Sequence, residues 1–222
     1  MNQQKDNDVV ARFYAKLAPD YDLQEQDEER EEDLEEVADG VTGLIDGQRV
    51  LELACGTGRW TEILADVAGY VIAVDINEAM LEQARERGLD EDQVTFIQAD
   101  ALDLPADLDL GDVGVVFIGF WWSHLTRDAQ EGLLTSLRKR VGKSAQLIIL
   151  DDNYVEGLSL PVARTDAQGN TWQIVTAPDG ERVELPKSYP TDSFLRKRFA
   201  NVAREIRVAR WDTVWVLTCR LK

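Results

Sequence analysis

From Val50 onward, short apolar runs alternate with segments that have the periodicity of amphipathic helices. The apolar runs are VLELA, YVIAVD, VTFIQAD, VGVVFIGF and AQLIILDD, and the helical segments are RWTEILADVA, NEAMLEQARERG and RDAQEGLLTSLRKRV. Strands that alternate with helices of this length predict a mostly parallel sheet with helices on both faces. A chain of 222 residues has room for one such domain with a small cap.

The alternation ends after Asp152. The segment NTWQIVTAPDGERVELPKSYP has two extended runs on either side of Pro178, Asp179 and Gly180, which is the turn chemistry of a hairpin. We expect this hairpin to form a cap over the carboxyl edge of the sheet. The chain then returns to a helix, TDSFLRKRFANV, and ends in REIRVARWDTVWVLTCRLK, which predicts two antiparallel strands that turn near Trp211.

Before the sheet, residues 9–38 predict a helical segment that is interrupted at Pro19. Its second half, EQDEEREEDLEEVADG, is rich in acids. We interpret it as the solvated face of a helix whose inner face carries Leu34, Val37 and Val41. The expected division of the chain is a helical N-terminal segment over 1–45, a core over 46–151, a cap over 152–190, and a final helix and strand pair over 191–222.

The net charge, the apolar runs and the cysteine content restrict the binding partners and the location that we expect for the protein. The formal net charge is −18, and a field of this sign repels phosphate backbones, so we expect no nucleic-acid partner. The first residues are polar and no apolar run approaches the roughly 20 residues that span a bilayer, so we expect a cytoplasmic protein without a membrane partner. Cys55 and Cys219 do not make a disulfide framework and are expected to be reduced. The expected assembly is a monomer or a homodimer.

The segment VLELACGTGRW places Gly56 and Gly58 between a predicted strand and a predicted helix. Glycine lets a backbone approach a ligand closely, and a helix start offers free amide donors. The loop is therefore either a plain tight turn or a binding loop for the carboxylate or phosphate end of a nucleotide-like ligand. Asp75 and Asp100 favour binding, because they end the next two strands and such ends meet at one crevice. There Asp75 can accept both hydroxyls of a ribose, and Asp100 faces the base.

A nicotinamide-dependent enzyme is an alternative with the same glycine spacing. Its fingerprint has a third glycine, and the corresponding position of this chain is Thr61. That alternative also gives no role to Glu52 or Asp100, so we do not favour it.

The motifs LELACGTG, AVDIN with Met80 beyond it, and QADAL resemble the glycine loop, the ribose acid and the adenine-side acid of class I S-adenosylmethionine-dependent methyltransferases. The resemblance covers the chain from about Phe13 to its end. It implies a Rossmann-like, doubly wound, seven-stranded, mostly parallel sheet with an antiparallel last strand, to which the small β-hairpin cap is added. It also implies S-adenosyl-L-methionine as the cofactor, S-adenosyl-L-homocysteine as its product, and no metal.

The same resemblance implies a role for each matching residue. The segment YAKLAPDYD resembles the N-terminal segment that folds over the cofactor, and Ala54 stands where the family commonly has glycine. The implied cofactor residues are Tyr21 and Tyr14 over the methionine part, Glu52 beneath its amino group, Ala54, Gly56 and Gly58 in the loop, Asp75 at the ribose, and Asp100, Ala101, Ile76 and Met80 at the adenine.

The segment GFWWSHL follows the fourth predicted strand and holds His124, the single histidine of the chain. In the family this segment lies beside the transferable methyl group. One interpretation is packing, with Trp121 and Trp122 as core or lid aromatics. His124 then caps the next helix, although Thr126 or Ser123 can do so instead. The other interpretation is functional, because an imidazole at the mouth of the cleft can take a proton or donate a hydrogen bond to an anion.

Together, GFWWSHL and the cap segment PDGERVELPKSY resemble a group of small bacterial methyltransferases that modify small molecules, which includes a phosphonate O-methyltransferase of dehydrophos biosynthesis. In that group the cap closes over the substrate, and the histidine and cap cations contact its anionic group. The arginine usual on the first hairpin strand is absent from TWQIVTA, which argues against a phosphonate specifically; Arg164 or Arg182 is a candidate substitute. Each cation can instead pair with surface carboxylates, for about 0–1 kcal/mol. The expected substrate-binding residues are Trp121, His124, Arg164 and Lys187.

The sequence therefore predicts a methyltransferase for a small anionic acceptor, with oxygen favoured as the methylated atom. In-line methyl transfer needs alignment, exclusion of water and a nucleophile in its basic form, and a carboxylate or phosphonate oxygen needs no general base. His124 then orients the acceptor rather than deprotonating it. Two alternatives stay open: transfer to a small thiol or amine with His124 as the base, and a catalytically silent module that keeps the cofactor crevice.

Overall fold

A seven-stranded sheet forms the centre of the computed structural model, which describes residues 3–24 and 28–222. The strands along the chain are β1 (Arg49–Leu53), β2 (Tyr70–Asp75), β3 (Val94–Gln98), β4 (Val115–Gly119), β5 (Gln146–Asp152), β6 (Arg164–Thr165), β7 (Thr171–Thr176), β8 (Arg182–Pro186), β9 (Ala203–Arg210) and β10 (Val214–Leu221). The central sheet has the order β3-β2-β1-β4-β5-β10-β9. Strands β1 to β5 are parallel, and β10 is antiparallel to both of its neighbours. The predicted fold class is confirmed.

Seven helices accompany the strands in the described part of the chain. They are α1 (Gln3–Leu17), α2 (Tyr21–Gln24), α3 (Glu28–Ile45), α4 (Arg59–Ala65), α5 (Glu78–Glu86), α6 (Arg127–Arg140) and α7 (Asp192–Phe199), and 3₁₀ turns occupy Ala18–Asp20 and Trp122–His124. None of these helices has both the length and the apolarity needed to cross a membrane.

The N-terminal helices are longer than the sequence pattern predicts. The prediction covered residues 9–38, whereas α1 begins at Gln3 and α3 continues to Ile45. The extension of α3 has a physical reason, because Ile45 is fully buried and continues the helical spacing of Leu34, Val37 and Val41. The part of the predicted helix at residues 25–27 lies outside the described residues.

The core has two layers, one on each face of the sheet, because successive side chains of a strand point to opposite faces. In β1, Val50 packs with α3 and α4, whereas Leu51 and Leu53 pack with α6 and α7 on the other face. β4 alternates in the same way, with Phe117 on the first face and Ile118 on the second. All of these side chains are completely buried. The sheet is therefore covered on both faces, and ligands can reach it only at its edges.

The cap is a small antiparallel sheet of β6, β7 and β8. The predicted hairpin is present, and Gly180 in its turn has a φ of 85°, which glycine adopts without strain. β6 has only two residues, which is too short for a sequence pattern to reveal. The cap packs beside the 3₁₀ turn that follows β4, and the amide of Ser188 donates to the carbonyl oxygen of Ser123 at 3.1 Å. The cap therefore lies at the carboxyl end of β4.

Candidate functional site

A cavity of about 1040 Å³, including its mouth, opens at the carboxyl ends of β1, β2 and β4. The predicted site residues that line it are Tyr14, Tyr21, Ala54, Gly56, Asp75, Ile76, Met80, Asp100, Ala101, Trp121 and His124. Four predicted residues, Glu52, Gly58, Arg164 and Lys187, do not line it in the described part of the chain.

The loop after β1 has an unusual backbone that leaves room for a ligand. Ala54, Gly56 and Gly58 all have positive φ angles, of 57°, 57° and 77°. Alanine at such an angle is strained by about 1–2 kcal/mol, which explains why glycine suits the position of Ala54 better. A Cβ on Gly58 would lie 2.9 Å from the Cβ of Ala84 in α5, so that glycine permits close packing of the loop on the helix.

Asp75 connects the end of β2 to this loop. Its carboxylate accepts hydrogen bonds from the amides of Gly56 and Asn77, both at 2.8 Å. Burial raises the pKa of Asp75 above its ordinary value, and the amide donors oppose that effect. The carboxylate is thus held rigidly at the cavity wall, where it can also accept from the hydroxyls of a ribose.

Glu52 lies beneath the cavity rather than in its wall. Its Oε2 accepts a hydrogen bond from the hydroxyl of Thr61 at 2.6 Å, and the residue is 2% exposed. Burial raises its pKa to about 8. Thr61 occupies the position where a nicotinamide fingerprint has glycine, and here its side chain orients Glu52. The role of Glu52 under a methionine amino group stays a prediction.

The adenine-side residues surround one end of the cavity. The Oδ1 of Asp100 accepts from the amide of Leu102 at 2.9 Å, which fixes the turn after β3. Met80 is buried and Ile76 is 38% exposed, so the two form an apolar floor and rim beside Ala101. The arrangement suits a flat heterocycle bordered by a carboxylate, as the resemblance implied.

His124 is held between the N-terminal segment and the cap. Its Nδ1 lies 2.7 Å from the carbonyl oxygen of Pro186, and its Nε2 lies 2.8 Å from the hydroxyl of Tyr14. Because a carbonyl only accepts, Nδ1 carries the proton, and Nε2 accepts from Tyr14. Burial, followed by the nearby charge of Lys187, lowers the pKa of His124 to about 3. The imidazole is therefore neutral at physiological pH and is a weak base.

The neighbours of His124 settle two other interpretations. Thr126 caps α6 by accepting from the amide of Ala129, so His124 is not the cap. Trp122 is completely buried against Phe199, with ring centroids 5.3 Å apart, and is a core residue. Trp121 is only partly buried and lines the cavity. The segment therefore combines one packing aromatic with one cavity aromatic.

The predicted cap cations are engaged elsewhere. The Nζ of Lys187 is buried 2.5 Å from Oδ2 of Asp152 and 3.5 Å from Oδ1 of Asp151. Burial lowers the pKa of Lys187, but these two carboxylates raise it by more, so the lysine is charged. Arg164 stacks over the ring of Trp172 at 3.6 Å and pairs with Glu184. A substrate contact by Lys187 or Arg164 stays a prediction.

Sequence reasoning predicted Tyr14 but missed the other residues on its face of α1. Asn7, Val10, Ala11 and Tyr14 all line the cavity, and their spacing of three, four and seven positions puts them on one side of a helix. This helical spacing could have served as a signal in the sequence, because a helix face that carries both polar and apolar residues is suited to line a cavity. Other lining residues not predicted include Arg59 and Trp60, which follow the glycine loop directly.

With the glycine loop after β1 and an acid after both β2 and β3, the chain has the architecture of a class I S-adenosylmethionine-dependent methyltransferase. Residues 50–143 match a family model described as a methyltransferase domain. The expected fold is confirmed, and the match supports the expected methyltransferase class and its S-adenosylmethionine cofactor.

Two curated relatives match limited parts of the chain. A demethylmenaquinone methyltransferase of Clavibacter sepedonicus is 43% identical over 75 residues, which cover 34% of this chain and 31% of that protein. The ubiquinone/menaquinone biosynthesis C-methyltransferase UbiE of Ectopseudomonas mendocina is 35% identical over 117 residues, which cover 50% of this chain and 44% of that protein. The chain thus spans less than half the length of these relatives.

The structural similarity is more extensive. A solved DhpI–SAM–HEP complex is 25% identical, with a TM-score of 0.75, and the match covers 96% of both chains. A DhpI–SAH complex gives the same values. This likeness includes the N-terminal helices and the cap, which lie outside the matched methyltransferase domain.

Proposed function

We propose that this protein is an S-adenosylmethionine-dependent methyltransferase that methylates an oxygen atom of a small anionic molecule. The observation that carries the proposal is that the strand-end acids Asp75 and Asp100 and the Tyr14–His124 pair line the same cavity. A cofactor held by the two acids would extend toward the Tyr14–His124 pair. An acceptor bound beside that pair would then lie next to the methyl group of the cofactor.

On the cofactor side, the chain provides a preformed crevice. S-adenosylmethionine supplies a methyl group on a sulfonium, which is activated for in-line displacement. Two amides of the chain position Asp75, and the loop beside it has positive φ angles. Preorganisation of this kind lowers the entropic cost of binding.

On the acceptor side, the protonation state of His124 favours an acceptor that is already an anion. An imidazole whose pKa is lowered to about 3 is a poor base for an alcohol, a thiol or an ammonium group. A carboxylate, phosphonate or phosphate oxygen needs no deprotonation and only has to be aligned. Because Tyr14 donates to His124 and His124 donates to Pro186, the pair would shape the acceptor pocket and exclude water from the methyl group rather than donate to the anion.

The similarity to DhpI supports a small-molecule acceptor, because the match extends over the cap and the N-terminal helices. The resemblance of GFWWSHL and the cap segment to a group that includes a phosphonate O-methyltransferase points the same way. The C-methyltransferase relatives match half of the chain or less, so they support methyl transfer in general rather than a quinone acceptor.

The test is a turnover assay with S-adenosylmethionine and three matched panels of small molecules: oxyanions, thiols and amines. S-adenosylhomocysteine formation and a product heavier by one methylene unit are measured by mass spectrometry. We expect transfer to oxyanions, at a rate that does not change with pH once the acceptor is ionised. Transfer only to thiols or amines would contradict oxygen as the methylated atom, and cofactor binding with no transfer would support the silent module.

The variant Tyr14→Phe sharpens the assay, because it removes the hydroxyl that Nε2 of His124 accepts from. We expect kcat/KM for the acceptor to fall about tenfold, since one hydrogen bond to a positioning group is lost. Affinity for S-adenosylhomocysteine should stay within about twofold. An equal loss of cofactor affinity would instead place Tyr14 against the methionine part.

A further inference from the structure

Asp151 is a buried acid to which the proposed reaction gives no direct part. It belongs to β5, and among residues 3–24 and 28–222 it is the most completely buried charged side chain, at 0% exposed. It is not one of the residues that line the cavity with His124. A buried carboxylate is costly unless it is paired and hydrogen-bonded, so its partners indicate what it does.

The two carboxylate oxygens of Asp151 hold the turn that contains His124. Oδ2 accepts a hydrogen bond from the amide of Ser123 at 2.7 Å, and Oδ1 accepts from the hydroxyl of the same serine at 2.8 Å. Ser123 is the middle residue of the 3₁₀ turn Trp122–His124 and is 1% exposed. Because both its backbone and its side chain are bonded to one carboxylate, Asp151 determines where the turn places the following histidine.

Lys187 of the cap lies on the other side of Asp151. Its Nζ is 3.5 Å from Oδ1 of Asp151, and it shares its charge with Asp152, whose Oδ2 is 2.5 Å away. The residue before this lysine is Pro186, the last residue of β8, and its carbonyl oxygen lies 2.7 Å from Nδ1 of His124. Asp151 therefore joins the segment that carries the imidazole to the segment that carries the acceptor of its proton.

The tautomer of His124 depends on the distance between these two segments. A tyrosine hydroxyl can donate or accept, so Tyr14 fits opposite Nε2 in either tautomer. A carbonyl oxygen only accepts, so the contact with Pro186 is the one that places the proton on Nδ1. If the turn and the cap separate, this contact lengthens and the other tautomer becomes accessible.

We propose that Asp151 is a positioning residue, which holds the turn and the cap together and thereby keeps His124 in the tautomer that carries its proton on Nδ1. Nε2 then stays unprotonated and accepts from Tyr14, so the wall of the acceptor pocket has one fixed arrangement. This inference rests on the proposed function, because it concerns the residues that shape the acceptor pocket. It differs from a role in stability alone, since loss of Asp151 changes the state of the imidazole in the folded protein.

NMR spectroscopy measures the tautomer directly, because His124 is the single histidine of the chain. Protein labelled with ¹⁵N-histidine gives the signals of one ring, and a protonated ring nitrogen has a different chemical shift from an unprotonated one. For the wild type at neutral pH we expect a protonated Nδ1 and an unprotonated Nε2. Asp151→Asn removes the charge and one acceptor oxygen at nearly constant shape. In this variant we expect the two signals to move toward each other, because both tautomers become populated.

Two further variants separate positioning from stability. Ser123→Ala removes the hydroxyl that donates to Asp151 and keeps the amide, so it should move the signals in the same direction by a smaller amount. It also answers the question if Asp151→Asn does not fold. The matched control is Thr126→Ala, which removes the side-chain cap of α6 three residues further on. It should lower the free energy of unfolding and leave both nitrogen signals of His124 unchanged.

Methyl-transfer kinetics test whether the effect extends to the acceptor. We expect Asp151→Asn to lower kcat/KM for the acceptor about tenfold. Affinity for S-adenosylhomocysteine should stay within about twofold, because Asp151 is not in the cavity wall. When Asp151→Asn is combined with Tyr14→Phe, the double variant should be little slower than either single variant, because both changes act through His124.

Several results would overturn the inference. They are a wild-type imidazole protonated on Nε2, nitrogen signals that Asp151→Asn and Ser123→Ala leave unchanged, and an equal change of these signals in Thr126→Ala. Rate losses that multiply in the double variant would also overturn it, because Asp151 would then act independently of His124. A wild-type protein that transfers no methyl group contradicts the proposed function instead, and the nitrogen signals still test the role of Asp151.

Discussion

The chain builds the two ends of the cavity differently: the proposed cofactor half, with the glycine loop, Asp75 and Asp100, and the proposed acceptor half, with Tyr14 and His124. In the cofactor half, the contacts join residues close in sequence, such as Gly56 with Asp75 and Glu52 with Thr61. In the acceptor half, the bond from Tyr14 to His124 spans 110 positions and that from His124 to Pro186 spans 62. The first half is a property of successive strand–helix units, whereas the second exists only when three distant segments have come together.

This difference indicates which segments of the chain can change to alter the acceptor site. The matched methyltransferase domain, residues 50–143, contains the loop and both strand-end acids, but neither α1 nor the cap. We therefore expect a change in the cap to affect the acceptor half more than the cofactor half, whereas α1 lines the cavity that both halves share. The predictions below test that difference, from the largest expected effect to the smallest.

Lys187→Met should lower the free energy of unfolding by about 3–5 kcal/mol, because it removes the ammonium partner of the buried Asp151 and leaves Asp152 paired with Arg30 alone. Urea denaturation measures the loss, and Lys197→Met on the exposed face of α7 is the matched control. A loss below about 1 kcal/mol, combined with a large rise in KM for the acceptor, would show that Lys187 serves the substrate rather than the cap.

Asp75→Asn should reduce affinity for S-adenosylhomocysteine about a hundredfold, because the amide loses the charge and one of the acceptor oxygens that hold the loop. Calorimetry measures the change, and Asp103→Asn, at an exposed position near the same edge, should have no effect. If Tyr14→Phe weakened this affinity as strongly, the two halves of the cavity would not be independent.

Glu52, beneath the cofactor half, and His124, in the acceptor half, should have opposite effects on how the free energy of unfolding depends on pH. Burial raises the pKa of Glu52 from 4.5 to about 8, so its contribution is complete below pH 4.5 and is lost as the pH rises toward 8. Burial lowers the pKa of His124 from 6.5 to about 3, so its contribution is complete above pH 6.5 and is lost as the pH falls toward 3.

The measurement is urea denaturation between about pH 5 and pH 7.5 for the wild type, Glu52→Gln and His124→Gln. As the pH rises, the free energy of unfolding of the wild type should fall relative to that of Glu52→Gln and should rise relative to that of His124→Gln. Each slope is at most about 1.4 kcal/mol per pH unit. Slopes of the same sign would show that one of the two groups has been assigned the wrong protonation state.

The smallest effect concerns the connection between α1 and the cap. The Nζ of Lys16 lies 2.6 Å from Asp179 and 2.7 Å from Glu181 at the hairpin turn, in an exposed position. Lys16→Met should speed release of S-adenosylhomocysteine by about twofold at low salt, and the difference should vanish at high salt because exposed pairs are screened. Stopped-flow measurement checks this, with the exposed Lys143→Met as the control. A salt-independent change would show that packing, not charge, holds α1 down.

The cofactor half could be predicted because its signals are local. Two of the three positive φ angles in the loop fall on glycines, Asp75 is the last residue of β2, and Asp100 lies two residues after the end of β3. The same is true of the hairpin turn at Gly180 and of the final strand pair. What escaped prediction is short or distant, such as the two-residue strand β6 and the cavity face of α1.

The sequence by itself determined the parallel sheet, the glycine loop and the order of the strand-end acids, because each depends on a periodicity or on a residue type within a few positions. Only the tertiary structure decided that His124 is neutral and bonded to Tyr14 and that Lys187 pairs with Asp152. These properties arise from burial and from partners on other segments. A side chain's charge and its partner depend on what surrounds it after packing, and no spacing along the chain encodes that.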